Sequence, residues 1–325
     1  MARSLLLIIV VAALATAAFP GAQTPAPAAA STSYVNRGQL MRDMGTLSSP
    51  AFEGRGPGTP GGLKAREWIV GEFRTAGLSA AGTDNFLQPF VLAGSVPSPP
   101  PGDATGAPGP MAANVVGRIP GRGATRKLLV VTAHYDHLGL RNGVLYPGAD
   151  DNASGVAALL AAARYFVRNP PRHPMVFVAF DAEEIGLRGA RAFVSSRLVA
   201  PGEIGLAVNL DMVSRGSANE IFAAGTAYSP WLTPLLEEVQ SRSAVTIRMG
   251  HDRPEASAGG LEDWTHLSDH GVFHDAGVPF VYFGVEDHPD NHEPTDTVER
   301  INPRFFGDVA DMIVEALRTF DEHVN

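Results

Sequence analysis

Cysteine is absent from the 325 residues, which excludes disulfide scaffolds, thiol nucleophiles, iron–sulfur clusters, thiolate zinc sites and lipid anchors on cysteine. Lysine is nearly absent too. Lys64 and Lys127 are the whole complement, and 25 basic against 34 acidic side chains leave a formal net charge of −9. That balance speaks against a surface that tracks nucleic-acid phosphates, so no nucleic-acid partner is expected. Long apolar runs are lacking except near the N-terminus, where Arg3 precedes residues 5–18, a run of about half to two-thirds of a bilayer span. With small residues at Ala15, Ala17 and Ala22, residues 1–22 read as a cleaved secretory signal. The mature protein is then expected to be secreted or periplasmic, without stable membrane insertion.

What is present is a chain 45% hydrophobic, globular in composition and long enough to close a large core without a crosslink. Residues 23–33 are rich in Ala, Pro, Thr and Ser and read as a flexible leader. A second breaker-rich stretch, 95–110, holds six prolines and three glycines, too many for a helix or a central strand. We read it as an excursion within one domain spanning 34–325, because the stretch before it is small for an independent core. From residue 114 onward, apolar runs at 114–119, 128–133, 175–180, 206–210 and 279–284 read as strands. Helical spacing is clear at 154–167 and 231–239. It is clearest at the end, where Ile301, Phe305, Val309, Met312, Ile313, Leu317 and Phe320 form one stripe. The alternation predicts an α/β fold, three-layer α/β/α, with a central mixed, mostly parallel sheet.

Open sheets of this kind place ligands beyond the carboxyl ends of their strands, and here those ends are polar. The strand 128–133 runs into His134-Tyr135-Asp136, 175–180 into Asp181-Ala182-Glu183-Glu184, and 206–210 into Asp211; 279–284 leads to a loop ending at His292, and the helix at 154 is entered through Gly148-Ala149-Asp150-Asp151-Asn152. If Asp151, Glu183, Glu184 and Asp211 converge, their repulsion in a partly buried site must be neutralised. These motifs contain no lysine and no arginine, so divalent cations are required. Nitrogen and oxygen donors without thiolate suit zinc, with cobalt or manganese as alternatives, and shared carboxylates suit a pair of ions that activates water for hydrolysis. Adjacent glutamates in extended backbone point to opposite sides, so one can bind metal while the other shuttles a proton. Asp136, two residues after His134, is placed to hydrogen-bond its imidazole.

The strings AHYDHLG, GADDNASG, DAEEIGLRGA, VNLDMV and DNHEPTDTVERIN, with FEGRGPGTPGG and NVVGRIPG upstream, resemble the di-zinc aminopeptidase family that includes aminopeptidase Y and the bacterial leucyl aminopeptidases. The resemblance implies a zinc exopeptidase-like fold and two zinc ions per chain. It makes His134 and Asp211 ligands of one ion, Glu184 and His292 ligands of the other, and Asp151 the bridge. Glu183 would be the general base and acid, Asp136 the partner of His134, and Asp151–Asn152 a cis peptide. The implied reaction is hydrolysis of the N-terminal bond of peptides with a free N-terminus. Many relatives carry tyrosine where this chain has Asn291, which leaves the oxyanion contribution at that position open. The segment Ser268-Asp269-His270 also resembles a family segment, without making His270 a ligand. His137, His274 and His288 are the other histidines nearby, and Phe273, Trp264 and Tyr282 are candidates for either pocket lining or core.

Glutaminyl cyclase, an acyltransferase, shares the fold and a similar ligand set with one zinc, but its segment around the bridging aspartate differs from DDNASG. A carboxypeptidase or other amidohydrolase is a further alternative. A metal-free scaffold is disfavoured because every ligand candidate is present.

Overall fold

The computed structural model describes residues 33–92, 111–196, 198–216, 218–253 and 260–324. The expected signal, the leader apart from Ser33, and the excursion at 95–110 therefore lie outside the described residues. Two helices that the sequence reading passed over open the fold: α1 (Arg37–Leu47) and α2 (Pro60–Ala76), joined by a 3₁₀ turn at Pro50–Arg55. Asn36 caps α1 by accepting from the Gln39 N–H, and Thr59 caps α2 by accepting from the Gly62 N–H, with Pro60 in the first turn. Strands β1 (Ser79–Ala80), β2 (Leu87–Val91), β3 (Met111–Ile119) and β4 (Leu128–His134) follow, then the small hairpin β5 (Leu140–Arg141) and β6 (Val144–Leu145). The remainder alternates: α3 (Gly155–Arg168), β7 (Met175–Phe180), α4 (Arg188–Ser195), β8 (Ile204–Leu210), β9 (Glu220–Ala224), α5 (Leu232–Gln240), β10 (Thr246–Met249), α6 (His270–Asp275), β11 (Phe280–Gly284) and α7 (Pro303–His323).

Nine strands form one sheet in the order β1-β3-β7-β4-β8-β11-β9-β10, with β2 also on β3. The centre, β7-β4-β8-β11, is parallel. Towards the flanks β3 meets β7, and β9 meets β11, antiparallel. The mixed sheet of the sequence reading is present; its antiparallel flanks are additional. Side chains of β4 alternate between two cores, as a pleated strand covered on both faces requires. Leu129 and Val131 belong to the core that holds Leu159 of α3 and Ile313 of α7, while Val130 belongs to the one that holds Phe193 of α4 and Phe273 of α6. The stripe on α7 is buried as expected. The helix itself starts at Pro303, where Asn302 accepts from the Phe305 N–H, so Ile301 packs just ahead of it.

The chain lays β7 on one side of β4 and then returns to lay β8 on the other. Strand order therefore reverses about β4, and the loops leaving β4 and β8 diverge to open a crevice at their carboxyl ends. Among the described residues, no helix is long and apolar enough to cross a membrane.

Candidate active site

His134 is the last residue of β4, and Asp211 directly follows β8, so both stand at that crevice. His134 Nε2 lies 3.2 Å from Asp211 Oδ1 and 3.3 Å from Asp151 Oδ1. Asp151 arrives on the irregular turn ahead of α3, and the Asp151–Asn152 peptide is cis. Its other oxygen faces a second group: Oδ2 is 3.0 Å from His292 Nε2, which is itself 3.3 Å from Glu184 Oε2. Asp151 thus offers one oxygen to His134 and Asp211 and the other to Glu184 and His292. The five residues that the family resemblance implied as ligands are brought together, with His292 about half exposed and the others largely buried. His137, a nearby histidine to which the sequence assigned no role, stands beside them with its Nδ1 2.7 Å from Glu184 Oε1.

Glu183 and Glu184 do not sit on extended backbone. They occupy a turn begun by Ala182 at φ 60°, in which the Gly186 and Leu187 N–H groups both donate to the Glu183 carbonyl. The turn, rather than strand alternation, sends the two glutamates to different tasks. Asp136 also differs from expectation. The His134 Nδ1 partner is the Asp136 main-chain carbonyl at 3.1 Å, with the Asp136 carboxylate 3.7 Å away. That carboxylate instead accepts the Glu183 and Glu184 N–H groups at 3.0 and 3.3 Å, tying the glutamate turn to the β4 loop.

The other loops are anchored in the same way. Asp296 accepts from the Asp150 and Asp151 N–H groups, and Asp150 accepts from Ser214 and contacts His288 Nε2 at 3.1 Å. His288 is therefore tied to the loop behind Asp151. His274 packs on Tyr228, away from these groups. His270 directs Nε2 at the Trp264 carbonyl and is no part of the donor set.

Arg55, in the upstream string FEGRGPGTPGG, received no role from the sequence. It is fully buried and donates to the main-chain carbonyls of Tyr135, Leu47, Pro147, Gly148 and Asp151. Burial pulls its pKa down to about 10 against the attraction of Asp151, Asp296, Asp136 and Glu184, so it is cationic at neutral pH. The expectation that no basic side chain serves these carboxylates is corrected accordingly. One does, through space, while its donors hold the loops. No periodicity or spacing could reveal this, because its five acceptors come from three separate stretches of chain.

Burial, reinforced by Asp269, Asp211 and Asp136 and opposed by His134, raises Glu183 well above the usual carboxylate range. Burial would also raise Asp151, but His137, His134 and His292 hold it well below. Asp269 is buried with neither carboxylate oxygen hydrogen-bonded among the described residues, and burial pushes it up to about 7. The donor set fits the zinc ions implied by the resemblance. It is nitrogen and oxygen only, two groups share one carboxylate, and His134 directs Nδ1 at a carbonyl, which leaves Nε2 to ligate.

His134, Asp151, Glu184, Asp211 and His292 line a cavity of about 550 Å³ together with Glu183, Trp264, Tyr282, Met212, Leu267 and Asn291. Trp264 and Tyr282 are lining residues, whereas Phe273 is core, packed on Phe180 and Phe193. A second cavity, about 560 Å³, opens at the amino ends of β8 and β11 beside Trp231 and Leu235, and among the described residues no Asp or Glu lines it.

A helix-covered sheet whose carboxyl edge gathers histidine and carboxylate donors has the architecture of the zinc exopeptidases. The zinc aminopeptidase from Bacillus subtilis superposes with a TM-score of 0.68 at 18% identity, over 87% of this chain and 94% of that one. Glutaminyl cyclase from Porphyromonas gingivalis gives 0.66 at 19% identity, over 90% and 100%. Identities this low speak to fold alone. The chain belongs to peptidase family M28, whose profile matches residues 114–317. Aminopeptidase YwaD of Bacillus subtilis (strain 168) is 29% identical over 204 residues, 58% of this chain and 40% of that protein. A probable zinc metalloprotease of Pyrenophora tritici-repentis is 27% identical over 300 residues, 81% of this chain and 64% of that protein. This chain thus spans less than two thirds of the length of either relative.

Proposed function

We propose that this protein is an exported zinc aminopeptidase that releases the N-terminal residue of peptides with a free N-terminus. The observation that carries the reading is Asp151, whose two oxygens serve two donor groups at one crevice, with Glu183 lining the same cavity. His134 and Asp211 would hold one zinc, Glu184 and His292 the other, and Asp151 both. Zinc bound there would supply Lewis acidity to the scissile carbonyl and the attacking water. Glu183 is not among the donors, and its main chain is fixed by Asp136. Its carboxylate takes a proton from the attacking water and delivers it to the nitrogen of the departing amine. Glu262 and Asp287, also on the cavity wall, suit the positive charge of a free α-amine. Asn291, in the place of the tyrosine of many relatives, directs Nδ2 at Asp287 Oδ1, 3.2 Å away. Export rests on the apolar run at residues 5–18 and the small residues at and just beyond its end.

The test is elemental analysis of the purified protein, coupled to hydrolysis of aminoacyl-arylamides before and after chelation. The expected result is about two zinc ions per chain, as in shared-carboxylate hydrolytic sites, and chelator-sensitive release from free but not N-acetylated substrates. One zinc with cyclisation of N-terminal glutamine would make it an acyltransferase. Absence of metal would defeat both readings.

A further inference from the structure

His137 lies three residues beyond the end of β4, with a fully buried ring. Its Nδ1 is 2.7 Å from Glu184 Oε1, whereas its Nε2 is buried with no hydrogen-bond partner among the described residues. The ring edge rests on Gly148, where a Cβ would come within 2.5 Å of His137 Cδ2 and the backbone is left-handed at φ 57°. Both facts call for glycine there. The main-chain carbonyl of Gly148 is in turn held by Arg55 Nη2 at 2.8 Å.

We propose that His137 is a positioning residue whose Nδ1–H holds Oε1 of Glu184, so that Glu184 meets the second zinc through Oε2 alone. This rests on the zinc reading of the site. The alternative, His137 as a direct ligand, fails on its far nitrogen. A ligating imidazole almost always donates its other N–H to an acceptor, as His134 does to the Asp136 carbonyl at 3.1 Å. Ligation through His137 Nδ1 would put the proton on Nε2, burying a donor with nothing to receive it, which is costly. With the proton on Nδ1, Nε2 keeps only a lone pair. The 2.7 Å contact has the length of a charge-assisted hydrogen bond, while Asp151 Oδ2, at 3.6 Å, lies beyond bonding reach. Glu184 Oε2 and Asp151 Oδ2 already meet at His292 Nε2. Those are three protein donors, the number that leaves a zinc with an open position. Releasing Oε1 would let Glu184 bind through both oxygens and fill it.

The experiment uses the full chain, with zinc affinity measured by competition against a chromophoric chelator and kcat and KM measured alongside. Asn places its amide N–H where Nδ1–H stands, Gln places it near Nε2, and Leu has none. His137→Leu and His137→Gln are expected to lose roughly 10- to 100-fold in affinity for one of the two zinc ions, the usual penalty for removing an outer-sphere partner, with the other ion unaffected. Their kcat should fall more than KM rises. His137→Asn should bind both ions within about threefold of the parent, as rescue of one hydrogen bond requires. Parent-like affinity in the Gln or Leu variant would overturn the proposal, as would loss of one zinc in the Asn variant equal to that in Gln, which would make His137 a ligand. Gln is compared directly with Asn, so the result stands even where Leu fails to fold. A parent protein that binds no zinc would instead defeat the underlying reading of the site.

Discussion

Replacing Arg55 tests whether the loops of the centre are held by one side chain. Its guanidinium makes contacts of 2.7 Å to Tyr135 O, 3.0 Å to Leu47 O, 2.7 Å to Pro147 O, 2.8 Å to Gly148 O and 3.4 Å to Asp151 O. A lysine ammonium keeps the charge but donates from a single point, so at least two of the four shorter bonds are lost. A buried acceptor left without its donor costs about 1–3 kcal/mol, which puts Arg55→Lys at roughly 3–5 kcal/mol, a large part of a typical folding free energy of about 5–15 kcal/mol. The assay is urea unfolding of zinc-stripped protein, because bound metal would add its own stabilisation, read as a midpoint shift at constant slope. Arg55→Met also removes the charge that faces Asp151, Asp296, Asp136 and Glu184. It should therefore fall further than Arg55→Lys in stripped protein, and the gap between them should narrow once zinc neutralises the carboxylates. A change below about 1 kcal/mol in Arg55→Lys, within the worth of one ordinary hydrogen bond, would refute the reasoning.

Glu183→Gln should keep its zinc and lose roughly 10²- to 10⁴-fold in kcat, the usual worth of a general acid–base group; unchanged turnover would remove Glu183 as the proton carrier. Asp151→Ala leaves each donor group with two residues of the resemblance-implied set, fewer than the three protein ligands typical of a catalytic zinc. Both ions should therefore be lost together, and retention of one at full affinity, by elemental analysis, would deny Asp151 the bridging role. His270 gives an acid limb to stability. Burial lowers it to about 3, so the unfolded ring takes up a proton below about 6.5 while the folded ring does not. Stability is then lost as pH falls from that value towards 3, by about 2 kcal/mol at pH 5. In His270→Gln, whose amide can donate to the Trp264 carbonyl in place of Nε2, the difference in urea midpoint between pH 7.5 and pH 5 should shrink accordingly. Equal differences in the two proteins would show that His270 does not set it.

Much of the centre could be read before folding because strand ends are local facts. Residues 128–133 are apolar but for Thr132, and the ionisable residue that ends such a run must lie at the sheet edge, as His134 does. Peripheral strands were less legible. Glu220–Ala224 and Thr246–Met249 mix polar with apolar residues over a few positions, which is what a strand near the sheet edge, with less to bury, permits. The direction of the Glu183-Glu184 pair was hidden because their turn depends on Asp136, 47 residues earlier, taking the Glu183 N–H. Arg55 and His137 were hidden for a related reason. Both are polar residues inside motifs, and nothing local distinguishes a side chain aimed at water from one aimed at buried carbonyls or at a ligand carboxylate.

This difference bears on how the centre tolerates its own charge. Clustered carboxylates demand cations, and from the sequence alone the whole of that task falls to metal. The fold divides it. Arg55 lies behind Asp151, with Nη2 on the Gly148 carbonyl and near that of Asp151, and its charge is fixed in place whether or not zinc is present. Main-chain donors do further work: Asp296 and Asp136 accept N–H groups from the residues they position. A centre supported in this way can keep its loops in place before metal arrives, so that zinc meets donors already converged and little ordering is left to oppose binding. The change in the gap between Arg55→Met and Arg55→Lys on loading with zinc isolates this contribution, because the bonds that the lysine keeps are common to stripped and loaded protein whereas the worth of its charge is not.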